Sequence, residues 1–140
     1  MRLMIFRSLL TSLEKRTPMV EGVGIDIAEV SRIRKSIEDY GELFTGKVFT
    51  EAEKAYCVEK PSPYQHFAAR FAAKEAFSKA TGTGWDDNFS WQEVEVINEA
   101  SGKPVLRLSG LTLRTFGHKR IFLSLSHSGD YVTAVVVIEG

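Results

Sequence analysis

Ala69-Arg70-Phe71-Ala72-Ala73-Lys74-Glu75-Ala76-Phe77-Ser78-Lys79-Ala80 is the stretch on which the reading of this 140-residue chain turns. It lies in a strong helical segment, Tyr64–Thr81, introduced by Pro61 and Pro63 and closed by Gly82 and Gly84. Phe67, Phe71, Glu75 and Lys79 recur every four positions, so they form one stripe along the helix. A carboxylate is thereby set beside two phenylalanines on a face that should be partly buried, which is costly unless a cation or donors compensate it. Two readings follow from the helix alone. Glu75 and Lys79 can pair with each other at a half-exposed edge. Alternatively, Glu75 ligates a metal ion and Lys79, one turn on, holds phosphate oxygens.

Upstream, Val20–Ile27 reads as a strand, and Asp26 interrupts its apolar run Val23, Ile25, Ile27 where the strand gives way to a helix. An Asp there either caps the next helix or joins a ligand site at a strand end. Two carboxylates from separate elements suit magnesium, which takes one or two carboxylates plus substrate phosphates and waters. Glu29–Tyr40 has helical periodicity through Val30, Ile33 and Ile37, with Gly41 as its stop. Arg32, Arg34 and Lys35 on that helix are either a solvated face or a dock for an acidic helical partner. Thr50 and Glu53 have capping-box spacing for a helix through Ala55 and Tyr56.

Downstream, Trp91–Asn98 and Val105–Ser109 flank a turn of Ser101, Gly102, Lys103 and Pro104, the pattern of a hairpin. Leu111–Gly117 reads as a short helix. Ile121–His127 alternates, Ser128-Gly129-Asp130 turns, and Tyr131–Ile138 is a nearly continuous apolar strand. The fold class is α+β, helices packed on a mainly antiparallel sheet. His127 ends the Ile121, Leu123, Leu125 face, where a histidine is either a structural hydrogen-bonding group or an acid–base residue. No phosphate-binding P-loop and no dinucleotide fingerprint occurs. One cysteine and scattered histidines disfavour zinc.

Hydrophobic residues make up 44% and charged residues 26%, a balance that suits one ordinary globular domain at this length. Eighteen basic and eighteen acidic residues cancel, so no overall field points to nucleic acid or a membrane surface. Cys57 is the only cysteine, which removes any intrachain disulfide and reads as a small buried apolar residue. No apolar run approaches the ~20 residues of a spanning helix, so the chain reads as soluble. Residues 1–18 form a basic amphipathic stretch, a targeting segment or surface helix by type, and we read them as a dispensable extension to a single domain over 19–140. From the residues alone, a magnesium-dependent enzyme of phosphate esters and a non-catalytic binding module both stand.

Taken together, several segments resemble the holo-acyl-carrier-protein synthase family, the short phosphopantetheinyl transferases. They are Gly22-Val-Gly-Ile-Asp-Ile27 with Arg32, Phe49-Thr-Glu-Ala-Glu53 with Tyr56, and Ala69–Ala80 with Gly82-Thr-Gly84. Gly102-Lys-Pro104 and Leu123-Ser-Leu-Ser-His127 complete the set, in the family's order and spacing, from about Val20 to the C-terminus. The resemblance implies a phosphopantetheinyl transferase-like fold. It also implies transfer of the 4′-phosphopantetheine arm of coenzyme A to a serine of apo-acyl carrier protein in fatty acid biosynthesis, with release of 3′,5′-ADP.

On the same footing Asp26 and Glu75 are the expected magnesium ligands, and Lys79 holds the diphosphate. Arg70 and His127 lie at the nucleotide end and phosphates of coenzyme A. Arg32, with Arg34 beside it, lies on the helix that receives the carrier protein. The serine proton goes to Glu75, His127 or a metal-bound water. A homotrimer with active sites at its interfaces and a cytoplasmic location complete the expectations.

Overall fold

The computed structural model describes residues 17–82 and 90–140. Three antiparallel strands form the main sheet in the order β1 (Val20–Glu29), β5 (Tyr131–Glu139), β4 (Arg120–Ser128). A second antiparallel pair, β2 (Val94–Asn98) and β3 (Pro104–Leu108), forms the expected hairpin. Five helices accompany them among the described residues: α1 (Val30–Tyr40), α2 (Glu42–Val48), α3 (Glu51–Val58), α4 (Pro63–Thr81) and α5 (Gly110–Phe116). The architecture is the expected α+β. The extension up to residue 16, and Gly84 beyond the end of α4, lie outside the described residues.

The register places Gly24, Asp26 and Ala28 of β1, Val132, Ala134, Val136 and Ile138 of β5, and Leu123 of β4 on one face. That face packs under α4, whose Ala72, Ala73, Ala76, Phe77 and Ala80 are buried. Helix and strand meet almost backbone to backbone. A Cβ at Gly24 would stand 1.9 Å from the carbonyl oxygen of Ala76, and one at Gly22 would stand 2.0 Å from that of Ala80. Glycine on the strand and alanine on the helix therefore set the depth at which α4 lies, and with it the reach of Lys79.

α4 begins with Pro63 at its first position and ends at Gly82, left-handed at φ 74°, as its punctuation required. The capping box at α3 is complete: Thr50 Oγ1 accepts from Glu53 N at 3.2 Å and Glu53 Oε1 accepts from Thr50 N at 2.9 Å. Two expectations change. Gly41 stops α1, but a further helix, α2, starts at once. Trp91–Glu93 is a short 3-10 turn, so the strand expected over Trp91–Asn98 starts at Val94.

The sheet's opposite face is open. Val23, Ile25 and Ile27 are each about 60% or more exposed and Phe122 is exposed beside them. Val135 and Val137 lie between these strands on the same face.

Candidate active site

Asp26 stands on the helix side of β1, paired with Ala134 in register. Lys79, near the end of α4, reaches across to it. Its Nζ donates to Asp26 Oδ1 and to the carbonyl of Ile25, both at 3.0 Å. Asp26 is therefore no helix cap. The first turn of α1 is satisfied by Asp130 instead, whose Oδ1 accepts from Ser31 N at 3.0 Å and whose carbonyl accepts from Val30 N at 2.7 Å. Along the stripe, burial falls from Phe67 through half-buried Phe71 and Glu75 to exposed Lys79. The half-buried Glu75 thus sits one turn before a lysine anchored on Asp26.

The donor set fits a hard divalent ion. Asp26 and Glu75 supply carboxylate oxygens from two elements, the number magnesium commonly takes when phosphates and waters complete its shell. Among the described residues no group of three or more His, Cys, Asp or Glu side chains is placed to hold a metal by protein ligands alone. An ion here would depend on a bound phosphate.

Arg70 and His127 lie in a different place. Both line a cleft of about 390 Å³ between α3, α4, the β2–β3 turn and β4, together with Tyr56, Gln65, His66 and Lys103. Arg70 is only 3% exposed; its guanidinium stacks over Tyr56, 4.1 Å from the ring centroid, and donates to Asn98 Oδ1 at 3.0 Å. Its Nε has no hydrogen-bond partner, and among the described residues no carboxylate pairs with it. None of the described residues lining the cleft is Asp or Glu. A buried cation without an anion is costly. The charge of this cleft suits an anionic ligand.

Lys79 follows Arg70 by nine positions. At 3.6 residues per turn that puts them on opposite flanks of α4 and roughly 13 Å apart along its axis. The residues singled out from the sequence thus divide into two half-sites, Asp26, Glu75 and Lys79 on one flank, Arg70 and His127 on the other. Arg32 and Arg34 belong to neither. Both are exposed on α1, ion-paired with Glu29 (3.7 Å) and Glu38 (2.8 Å), and Arg32 borders an apolar groove with Ile27, Ile33, Phe44 and Phe71.

Similarity to known proteins now decides the family. A family model for the 4′-phosphopantetheinyl transferase superfamily matches residues 22–136. The holo-acyl-carrier-protein synthase of Chlamydia trachomatis serovar D is 49% identical over 118 residues, covering 84% of this chain and 98% of that protein. The chain belongs to the holo-acyl-carrier-protein synthase family.

The fold agrees with solved holo-acyl-carrier-protein synthases. The Neisseria meningitidis protein matches with a TM-score of 0.80 at 33% identity over 86% of this chain and 98% of that one. The Bacillus anthracis protein, solved in complex with CoA (3′,5′-ADP), matches with a TM-score of 0.74 at 37% identity, over 86% of this chain and 97% of that one. As a holo-acyl-carrier-protein synthase the chain is a phosphopantetheinyl transferase, and the non-catalytic reading falls.

His66 had a signal in the sequence, since it precedes Arg70 by one turn on the same flank. Asn98 had none; its contact with Arg70 spans 28 positions. Lys74 was equally hidden. It sits beside Glu75 in the motif, yet it points into the core and pairs with Glu53 at 2.6 Å, both side chains fully buried. Burial pushes the Lys74 ammonium below the usual lysine value, with Glu53 opposing. Cys57 is buried, its thiol pushed up to about 12 by burial, so it is a packing residue rather than a nucleophile.

Proposed function

We propose that the chain transfers the 4′-phosphopantetheine arm of coenzyme A to a serine of apo-acyl carrier protein, with magnesium as cofactor, releasing 3′,5′-ADP. The observation that carries this reading is the division of two chemically distinct half-sites across α4. The acid-free cleft around Arg70 suits the nucleotide and its phosphates. The Asp26–Lys79 pair beside Glu75 suits a diphosphate.

A ligand held by both flanks of a single α4 would have to pass around the helix. Two copies can present opposite flanks to one another, and the open apolar face of the sheet supplies a reason to associate. A contiguous run such as Val23, Ile25, Ile27, Val135, Val137 and Phe122 is rarely left in water by a monomer. We therefore take the working form to be a homotrimer, each site completed by a neighbour, as closed symmetry around one repeated contact allows.

In the reaction the serine oxygen attacks the phosphorus bearing pantetheine, and the bond from that phosphorus to the oxygen bridging it to the nucleotide breaks. Lys79 neutralises charge that grows on the departing phosphate, and Asp26 with the Ile25 carbonyl holds the ammonium in place. Arg70 anchors the nucleotide so that the diphosphate is held in line. Glu75 and His127 are the chain's own acceptors for the serine proton. A magnesium ion held by Asp26 and Glu75 would supply further positive charge to the diphosphate oxygens.

Arg32 and Arg34, exposed beside an apolar groove, suit docking of an acidic carrier helix. The acceptor carrier is that of fatty acid biosynthesis on this reading. No described helix is long and apolar enough to cross a membrane. A cytoplasmic setting suits a chain whose single cysteine is a buried free thiol.

Mass spectrometry of an apo-acyl carrier protein incubated with the protein, coenzyme A and magnesium tests the reading. One added phosphopantetheine per carrier, lost when EDTA replaces magnesium, is the expected result. An unchanged carrier mass under both conditions would refute it.

A further inference from the structure

The cleft that holds Arg70 contains a second titratable ring to which the reaction assigns no part. His66 is half-buried on α4, one turn before Arg70, with its ring edge-on to Tyr56 at 5.7 Å between centroids. Among the described residues, the charged or titratable groups that share its cleft or act on it are cationic or neutral. Tyr56 and Lys60 approach from α3 and the turn after it, Lys60 Nζ lying 4.4 Å from the Tyr56 centroid. Arg70 lies on α4 itself, Lys103 in the β2–β3 turn and His127 on β4. Burial, then Arg70, Lys60 and His127, all hold the imidazole below the usual histidine value, so near neutral pH the empty cleft keeps it uncharged.

An anion entering the cleft reverses the balance. A phosphate monoester, close to doubly charged near pH 7, would outweigh the neighbouring cations and favour the imidazolium, which offers a second N–H as donor. A diphosphate bridge carries less charge per phosphorus. The ligand feature best matched to such a group is therefore a terminal monoester.

We propose that His66 is a specificity-determining residue that takes up one proton from solvent as the 3′-phosphate monoester of the nucleotide enters the cleft, so that this phosphate is gripped as an imidazolium–phosphate pair. The inference rests on the assignment of the cleft to the nucleotide end of coenzyme A. The sign follows from linkage. If the ligand raises the His66 pKa, binding is tightest below the free value and weakens as pH rises through the bound value.

Calorimetric titration of 3′,5′-ADP into the full-length protein, in buffers of different ionisation heat, counts the protons taken up. Wild type should take up roughly half a proton or more beyond His66→Gln near pH 7, and His127→Gln should retain that excess. Wild-type affinity should also fall roughly three- to tenfold more steeply than that of H66Q between about pH 6 and pH 8. Adenosine 5′-monophosphate, which lacks the 3′-phosphate, should show no His66-dependent uptake. If H66Q does not fold, an NMR titration of the His66 ring in wild type replaces it, and its midpoint should rise on adding 3′,5′-ADP. Equal proton uptake in wild type and H66Q, or an unmoved midpoint, overturns the inference and leaves the cleft assignment standing. Failure of 3′,5′-ADP to bind wild type at all overturns the assignment, and this inference with it.

Discussion

Asp26→Ala protein should transfer phosphopantetheine roughly 10²–10³-fold more slowly than wild type, the usual cost of removing one preorganised charge-stabilising group from a transfer site. Its folding stability should barely change. Asp26 is partly exposed and its partner Lys79 is about half exposed, so the lost ion pair is worth at most about 1 kcal/mol after solvent screening. Glu75→Ala should behave alike. The loss should concentrate in kcat, because Lys79 without Asp26 still carries its charge but is no longer aimed. Steady-state assays with apo-carrier protein, beside urea unfolding curves, check both halves of the expectation. Normal transfer by either folded variant removes the half-site on that flank from the reaction.

The largest stability loss should come from Lys74→Met. Its ammonium donates to Glu53 Oε1 at 2.6 Å, to the carbonyl of Val48 at 2.6 Å and to that of Trp91 at 2.9 Å. All three of its donors are used. Glu53 in turn accepts from Thr50 N and, through Oε2, from Val96 N at 2.9 Å. One buried pair thus ties the end of α2, the start of α3, the middle of α4, the 3-10 turn and β2 together.

Methionine would fill much of the space but leave the Glu53 carboxylate buried without its cation, which typically costs about 3–5 kcal/mol. Against a total of about 5–15 kcal/mol, that shift brings the protein near its unfolding threshold. Urea midpoints measure it. Adding Glu53→Gln to Lys74→Met should recover part of the loss, because the remaining side chain is no longer charged. A K74M midpoint within experimental scatter of wild type would show that the pair stabilises nothing.

How far the sequence could be read depended on the range of the interactions. The stop at Gly82, the capping box at Thr50 and Glu53 and the alternation of β4 are local patterns, and each was legible. Helix α2 was not. Gly41 reads as a terminator, and Thr45, Gly46 and Val48 are weak helix formers. The helix forms because Thr45 and Val48 are buried and because Gln92, more than 40 positions away, donates to the carbonyls of Gly46 at 2.8 Å and Phe49 at 2.7 Å.

The same limit governed the site. Glu75 and Lys79 stood out through spacing on one helix, and Asp26 through breaking an apolar strand. That Lys79 crosses to Asp26, a contact spanning 53 positions, required the depth set by Gly24 against Ala76. That Arg70 faces away from Lys79 was readable from helical geometry alone.

Co-expression of two differently tagged variants, Asp26→Ala and Arg70→Gln, followed by isolation of the mixed oligomer, tests most directly whether each site is shared between copies. Each variant alone should be nearly inactive. In each isolated mixed trimer one of the three sites unites an intact Asp26 from one copy with an intact Arg70 from its neighbour, so transfer should recover to roughly one third of wild type. Verified mixed oligomers that stay as inactive as the separate variants, or a chain that forms no oligomer, would contradict the account.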